Sequence, residues 1–252
     1  MRWTVDLDSA ALRLPSDRPP PVRALGAEDI GVVFQPIVDL QTGRCFAHEA
    51  LVRCKIEAYR NPTELFEYAV EQGAVGRLGR TIREVTIARA NGADVFINIH
   101  PEELSSRWLI RPDDALSLHD GDLYLEITET AALDYFDLCA SVLKEICART
   151  GAHLVVDDFG AGYSNLKRVI DLEPSIVKLD RALISGIDKH RRQQILVEQL
   201  VNTCAALDAR VVAEGIETVA ELRAVQDAGV QLGQGYLLAR PADPPPPIYW
   251  PD

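Results

Sequence analysis

The stretch GVVFQPIVDLQTGRCFAHEALV, residues 31–52, holds two apolar runs rich in β-branched residues, 31–38 and 45–52, separated only by DLQTGR. A crossover between parallel strands needs about a dozen residues or more, so the two runs predict an antiparallel hairpin. The rest of the chain keeps a different rhythm. Short β-branched runs recur at 95–99, 123–128, 153–158, 175–180, 210–215 and 232–237. The stretches 62–90, 131–150, 181–208 and 217–228 carry apolar positions at helical spacing. Eight strands with helices between the later ones predict an α/β fold, a closed (β/α)8 TIM-like barrel with one antiparallel strand. An open doubly wound sheet is the alternative. No glycine-rich phosphate fingerprint follows a first strand to favour it.

The barrel is expected over 27–242. Residues 1–26, rich in proline and without a period, read as a tail or linker. Residues 243–252 read as a second, extended proline-rich tail, with Tyr249 and Trp250 as its candidate anchors. At 252 residues, 47% hydrophobic and 25% charged, the chain has the composition of an ordinary soluble domain. No run approaches the roughly 18 apolar residues of a membrane helix, and the N-terminus lacks the apolar core of a signal peptide. The 5 cysteines, Cys45, Cys54, Cys139, Cys147 and Cys204, are scattered and odd in number. They predict reduced packing residues in a cytoplasmic protein. A formal charge of -12 excludes nonspecific binding of polymeric nucleic acid, which needs a basic footprint. A small anion remains possible where divalent cations lie between it and the protein.

The ends of the runs carry the chemistry. Glu49 ends the second, Asn98 the third, Glu126 the fourth, and Asp157 with Asp158 the fifth. Lys178 lies near the end of the sixth, Glu214 ends the seventh, and Gln234 sits in the eighth. Each alone reads as a strand-end polar group or cap. Together they predict a ring on the face where barrel active sites are built. Oxygen ligands without His or Cys suit hard cations, Mg²⁺ or Mn²⁺. Five carboxylates and an amide exceed what one magnesium takes from protein, whereas two ions about 3.5–4 Å apart would use them all. One of Asp157 and Asp158 would then bridge the ions while its neighbour binds the second. Such pairs cleave phosphodiesters, with Lys178 as a donor to the nucleophile or phosphate.

The stretch FQPIVDLQTGRCFAHEALVR, followed by NIHP, LEITET, DDFGAGYSNL, VKLD, AEGIET and GQGYLLARP, resembles the EAL-domain cyclic di-GMP phosphodiesterases over about residues 28–241. The resemblance implies the EAL fold and hydrolysis of cyclic di-GMP to linear pGpG. It implies Glu49, Asn98, Glu126 and Asp157 as ligands of one metal, and Asp157, Asp158 and Glu214 as ligands of the other. Lys178 matches a lysine that orients the attacking water. Gln35, Leu51 and Arg53 match substrate contacts, Glu217 and Gln234 supporting polar groups, and Glu129 a glutamate that holds the loop after the double aspartate. That loop, Phe159 to Asn165, is linked in the family to metal binding and to a homodimer interface. Activity with Mg²⁺ or Mn²⁺ and inhibition by Ca²⁺ are the expectations.

Two segments depart from the family pattern. After EALVR the family often has Trp and then His-Pro, but here CKIEAYRNPTELF is different and shorter, which changes one wall of the pocket. Ala161 stands where Thr is frequent, flanked by Gly160 and Gly162. His48 and His100 flank Glu49 and Asn98; adjacent strand residues face opposite ways, so His48 is expected to point out toward the helices, and neither is assigned to the site. Phe159 and Tyr163 read as loop packing. The alternative function is a catalytically silent or partner-activated domain that serves as a cyclic di-GMP receptor or scaffold. A more distant one is another metal-dependent barrel enzyme, such as an enolase-type proton abstractor.

Overall fold

A computed structural model describes residues 19–105, 109, 111–160 and 166–251. Its strands are β1 (Ile30–Asp39), β2 (Cys45–Cys54), β3 (Val95–Asn98), β4 (Leu123–Thr128), β5 (His153–Phe159), β6 (Ile176–Leu179), β7 (Arg210–Ala213) and β8 (Leu232–Gly233). They close in sequence order into one barrel. β1 runs antiparallel to both β2 and β8, and every other neighbouring pair is parallel. The hairpin expected at 31–52 is therefore the reversal in the barrel, and β1 is the reversed strand.

The helices are α1 (Pro62–Glu71), α2 (Val75–Ala90), α3 (Glu129–Asp134), α4 (Phe136–Leu138), α5 (Lys144–Thr150), α6 (Leu166–Asp171), α7 (Arg181–Ile184), α8 (Arg191–Ala205) and α9 (Val219–Asp227). The stretch expected over 62–90 is split between α1 and α2 at Gly73, whose φ of 58° a right-handed helix does not allow. A π-helical stretch, Cys139–Leu143, separates α4 from α5. β8 is shorter than its apolar run because the chain turns at Gly235. A Cβ there would lie 2.1 Å from the carbonyl oxygen of Ile216. Two apolar layers pack the helices on the outside of the barrel, one over its first half and one over its second.

Both flanks of the barrel touch it. The turn Val22–Ala24 buries Val22, and Leu25 follows it into the outer core, so packing begins inside the segment read as a tail. Ala242 exchanges backbone hydrogen bonds of 2.8 and 3.0 Å with Phe34 of β1. Beyond it, Trp250 packs on the outer core and over Gly43 in the β1–β2 turn, while the ring of Tyr249 stays exposed. Among the described residues no helix is long and apolar enough to cross a membrane.

Candidate active site

The inside of the barrel is filled by Ile37, Ala47, Phe96, Tyr124, Val155, Ile176, Val212 and Leu232. Residues two apart share a face of a strand. Two residues beyond Ala47, Phe96, Tyr124, Val155, Ile176, Val212 and Leu232 stand Glu49, Asn98, Glu126, Asp157, Lys178, Glu214 and Gln234. In the reversed β1 the count runs backwards, from Ile37 to Gln35. The polar ring is thus the layer directly above the apolar plug. Glu49 belongs to it although β2 continues to Cys54, so it is not the strand end that the sequence suggests.

Lys178 occupies the middle of the ring and is fully buried. Its Nζ lies 2.8 Å from Glu126 Oε1, 2.8 Å from Glu214 Oε1, 3.1 Å from Asp157 Oδ1 and 3.6 Å from Glu49 Oε2. Asn98 Nδ2 donates to Glu49 Oε1 (3.2 Å) and Glu126 Oε2 (3.0 Å). Gln234 Nε2 donates to Glu49 Oε2 (2.6 Å) and to Gln35 Oε1 (3.0 Å), and Gln35 Nε2 donates to the Ala239 carbonyl. Glu126 Oε1 and Asp157 Oδ1 are buried and face the Lys178 ammonium.

Asp158 should point away from its neighbour, and it does not. The β5–β6 register shifts between Val156 and Phe159, and Asp158 takes a left-handed φ of 56°. A bulge with an αL residue re-aims a side chain, and aspartate tolerates that conformation better than most residues. Oxygens of Asp157, Asp158 and Glu214 consequently lie within 4.8 Å of one another, as do oxygens of Glu49, Glu126 and Asp157. Asp157 belongs to both triplets. All donors are oxygen, so each triplet suits a hard divalent cation.

The electrostatics match this crowding. Burial raises the Glu126 carboxyl well above the ordinary range despite Lys178, with Glu49 and Asp157 adding to the rise. Burial likewise raises Glu214 to about 8, helped by Asp157 and Glu49. Asp158 is raised by burial and by the charge of Asp157. Burial alone would lower Lys178, but Glu126, Glu214, Glu49 and Asp157 hold it well above its usual value.

The other expected residues flank the ring. Glu129, capped into α3 by Thr128, accepts the Gly160 amide at 3.0 Å just after the double aspartate. Gly160 has a φ of +98°, which a side chain would strain. Residues 161–165 of that loop, Ala161 included, lie outside the described residues. Leu51 lines a cavity of about 220 Å³ together with Gln35, Glu49, Glu214, Glu217 and Gln234. Arg53 is exposed and lines a different space, beside Leu51 and Asn98. Glu217 is held 3.0 Å from Arg181, a residue that the sequence reading misses. Its signal is position, three residues past Lys178 at the first turn of α7. Tyr236 is also missed. It is exposed at the mouth, with the Arg240 guanidinium 4.2 Å above its ring. His48 contacts Cys45 and Phe34, and His100 stacks on Phe66, so neither joins the ring.

Comparisons with known proteins agree with this geometry. The chain is 28% identical over 232 residues to the cyclic di-GMP phosphodiesterase PdeR of Escherichia coli, covering 87% of this chain and 35% of that protein. It is 30% identical over 236 residues to the cyclic di-GMP phosphodiesterase PA2567 of Pseudomonas aeruginosa, covering 88% and 40%. It therefore spans roughly a third to two fifths of the length of these relatives. Among solved structures it resembles Klebsiella pneumoniae BlrP1 in its calcium and cyclic di-GMP complex, with a TM-score of 0.76 and 28% identity over 89% of this chain and 58% of that one. The family model described as the EAL domain matches residues 22–241. By that match, spanning the whole barrel and its ring, the chain belongs to the EAL-domain family.

Proposed function

We propose that this chain hydrolyses one of the two phosphodiester bonds of cyclic di-GMP, giving linear pGpG, with two Mg²⁺ or Mn²⁺ ions held in the ring. The observation that carries the reading is the pair of oxygen triplets sharing Asp157, with buried Lys178 beside both. The relatives named as cyclic di-GMP phosphodiesterases support the substrate, as do BlrP1 complexes with cyclic di-GMP and calcium or manganese.

In this reading Glu49, Asn98, Glu126 and Asp157 hold one ion, and Asp157, Asp158 and Glu214 hold the other. Asn98 would ligate through its carbonyl oxygen, a half-turn of the amide from its present hydrogen bonds. When bound, the ions supply an activated water and offset charge developing on the phosphate. Lys178 would donate from Nζ to the attacking water, and Glu126, Asp157 and Glu214, which now surround it, would serve as cation ligands. Gln234 and Gln35 fix the orientation of Glu49 from the far side. Leu51, Arg53 and Glu217 line the substrate, the Arg53 guanidinium being suited to a phosphate. Glu129 fixes Gly160 and with it the start of the loop that follows Asp158. The protein is proposed to act as a homodimer.

Mass analysis of the product tests this directly. Cyclic di-GMP should become pGpG with Mg²⁺ or Mn²⁺ and stay intact in chelator. Ca²⁺ should inhibit, because it takes longer and looser oxygen coordination than Mg²⁺ or Mn²⁺ would take from the same carboxylates. Full hydrolysis by chelator-treated protein would overturn the two-ion mechanism. Tight binding with no product under any metal would make the chain a receptor.

A further inference from the structure

Only two residue pairs join β8 to β1, Val38 with Gly233 and Asp39 with Leu232, and both lie short of the ring residues Gln35 and Gln234. Level with the ring and beyond it, the chain that follows β8 takes the place of a strand beside β1. Ala242 and Phe34 form the bridge there, bonded in both directions at 2.8 and 3.0 Å. Among the described residues no helix follows β8 to cover the join. The covering segment lies past residue 241, where the match to the EAL domain ends.

Residues 243–250 hold this arrangement from outside. Asp243 pairs with Arg89 of α2. Ile248 and Trp250 pack on the outer core, and the Trp250 ring lies 2.8 Å from where a Cβ on Gly43 would stand. The Tyr249 amide donates to the Leu238 carbonyl at 2.7 Å. Pro244 to Pro247, between these anchors, leave the segment little freedom to slacken. Ala239 is thereby bracketed, with Leu238 held by Tyr249 on one side and Ala242 by Phe34 on the other.

The bracket reaches the ring. The Ala239 carbonyl accepts from Gln35 Nε2 at 3.0 Å, which turns Gln35 Oε1 toward Gln234 Nε2. That Nε2 also donates to Glu49 Oε2 at 2.6 Å. A carbonyl can only accept, so Ala239 decides which way round both amides stand. Were Gln35 reversed, N–H would face N–H, and a reversed Gln234 would set its oxygen against the Glu49 carboxylate. We propose that residues 242–250 clasp the β1–β8 join and, through Ala239, Gln35 and Gln234, position Glu49 for its cation. The effect on the cation rests on the two-ion reading above, whereas the clasp itself does not.

Trp250→Ala in the whole chain tests this from the far end of the clasp. Ala242→Pro, which removes the N–H bonded to Phe34, tests it from the near end. In metal-free Trp250→Ala, hydrogen exchange should quicken at the amides of Phe34, Ala242 and Tyr249 and not at those of β4. Ala242→Pro should quicken it at Phe34 and Tyr249. Calorimetric titration of either variant with Mn²⁺ should weaken one of the two binding constants at least about threefold and leave the other in place. Gln35→Ala should weaken the same constant about tenfold, the scale of a lost partner behind a metal ligand. Adding Trp250→Ala to it should then cost nothing further. Exchange at the join that both variants leave unchanged, or two Mn²⁺ constants that neither moves, overturns the proposal. So does an equal weakening of both constants, or a full further loss in the double variant, since the clasp would then act through general stability and not through Gln35. If the parent binds no Mn²⁺, the two-ion reading falls, and faster exchange at the join still upholds the clasp. If every clasp result holds but no pGpG forms, the hydrolase reading falls alone.

Discussion

At Asp158 the backbone turns to a φ of 56°, and the demands of that turn can be separated from those of the side chain's charge. Asparagine tolerates the left-handed region as aspartate does. Asp158→Asn should therefore keep or raise the melting temperature of metal-free protein, because it removes repulsion from Asp157. Turnover should still fall about 10²-fold or more, the scale on which loss of one contact to developing charge is felt. Parental activity in this variant would reduce the double aspartate to a turn. Glu214 supplies a pH test. Its folded-state pKa, raised to about 8 from 4.5, means that the folded protein holds this proton more tightly than the unfolded chain. The stability that follows is complete below about pH 4.5 and is lost as pH rises through 8. Melting in chelator should therefore fall across that window, and Glu214→Gln should flatten the fall. A parent that melts higher at pH 8 than at pH 5 would contradict this. The ring residues are legible because each sits one strand period above an apolar residue, as Glu126 does above Tyr124 and Lys178 above Ile176. The aim of Asp158 is not legible, because a bulge is a property of two paired strands and leaves no periodic mark on one.

Among the elements, α2 does more than cover β2 and β3. Its Arg83 is fully buried, with Nη1 2.5 Å from Glu103 and Nη2 2.8 Å from Asp114, so it ties together two separate points of the connection between β3 and β4. Glu103 in turn accepts the His100 amide at 3.2 Å. Removing one partner of such a cluster leaves buried charge uncompensated. Arg83→Leu should lower the unfolding free energy by about 3–5 kcal/mol. Adding Glu103→Gln and Asp114→Asn should recover part of the loss in urea titrations, and no recovery would mean that packing rather than charge explains it. No periodicity rule finds this cluster, since Arg83 lies in an ordinary amphipathic helix, Glu103 in a short 3-10 turn and Asp114 at the N-cap of another. The barrel itself was legible, because β-branched runs and helical spacing depend on neighbours in sequence. The breaks at Gly73 and Gly186, which divide expected long helices, are glycine signals visible only when the stretches are read residue by residue. The π-helical stretch after α4 has no sequence signature that we can identify.

For the molecule as a whole, cation binding and folding are linked. An ion held only by the folded state, at a hundred times its dissociation constant, stabilises by about 2.7 kcal/mol. Mg²⁺ or Mn²⁺ should therefore raise the melting temperature, most at high pH, where the carboxylates are ionised. The shared position of Asp157 makes the stoichiometry diagnostic. Calorimetric titration should count two ions in the parent, one in Asp158→Asn and none of comparable affinity in Asp157→Asn. Two ions in Asp157→Asn would show that the bound ions do not share it. The left-handed backbone at 158 also has a genetic consequence. Aspartate codons become asparagine or glycine codons by a single transition at the first or second base, and these are the residues that accept this backbone most readily. On the proposed two-ion reading, a single point mutation at this codon would remove a cation ligand at no cost to the backbone that carries it.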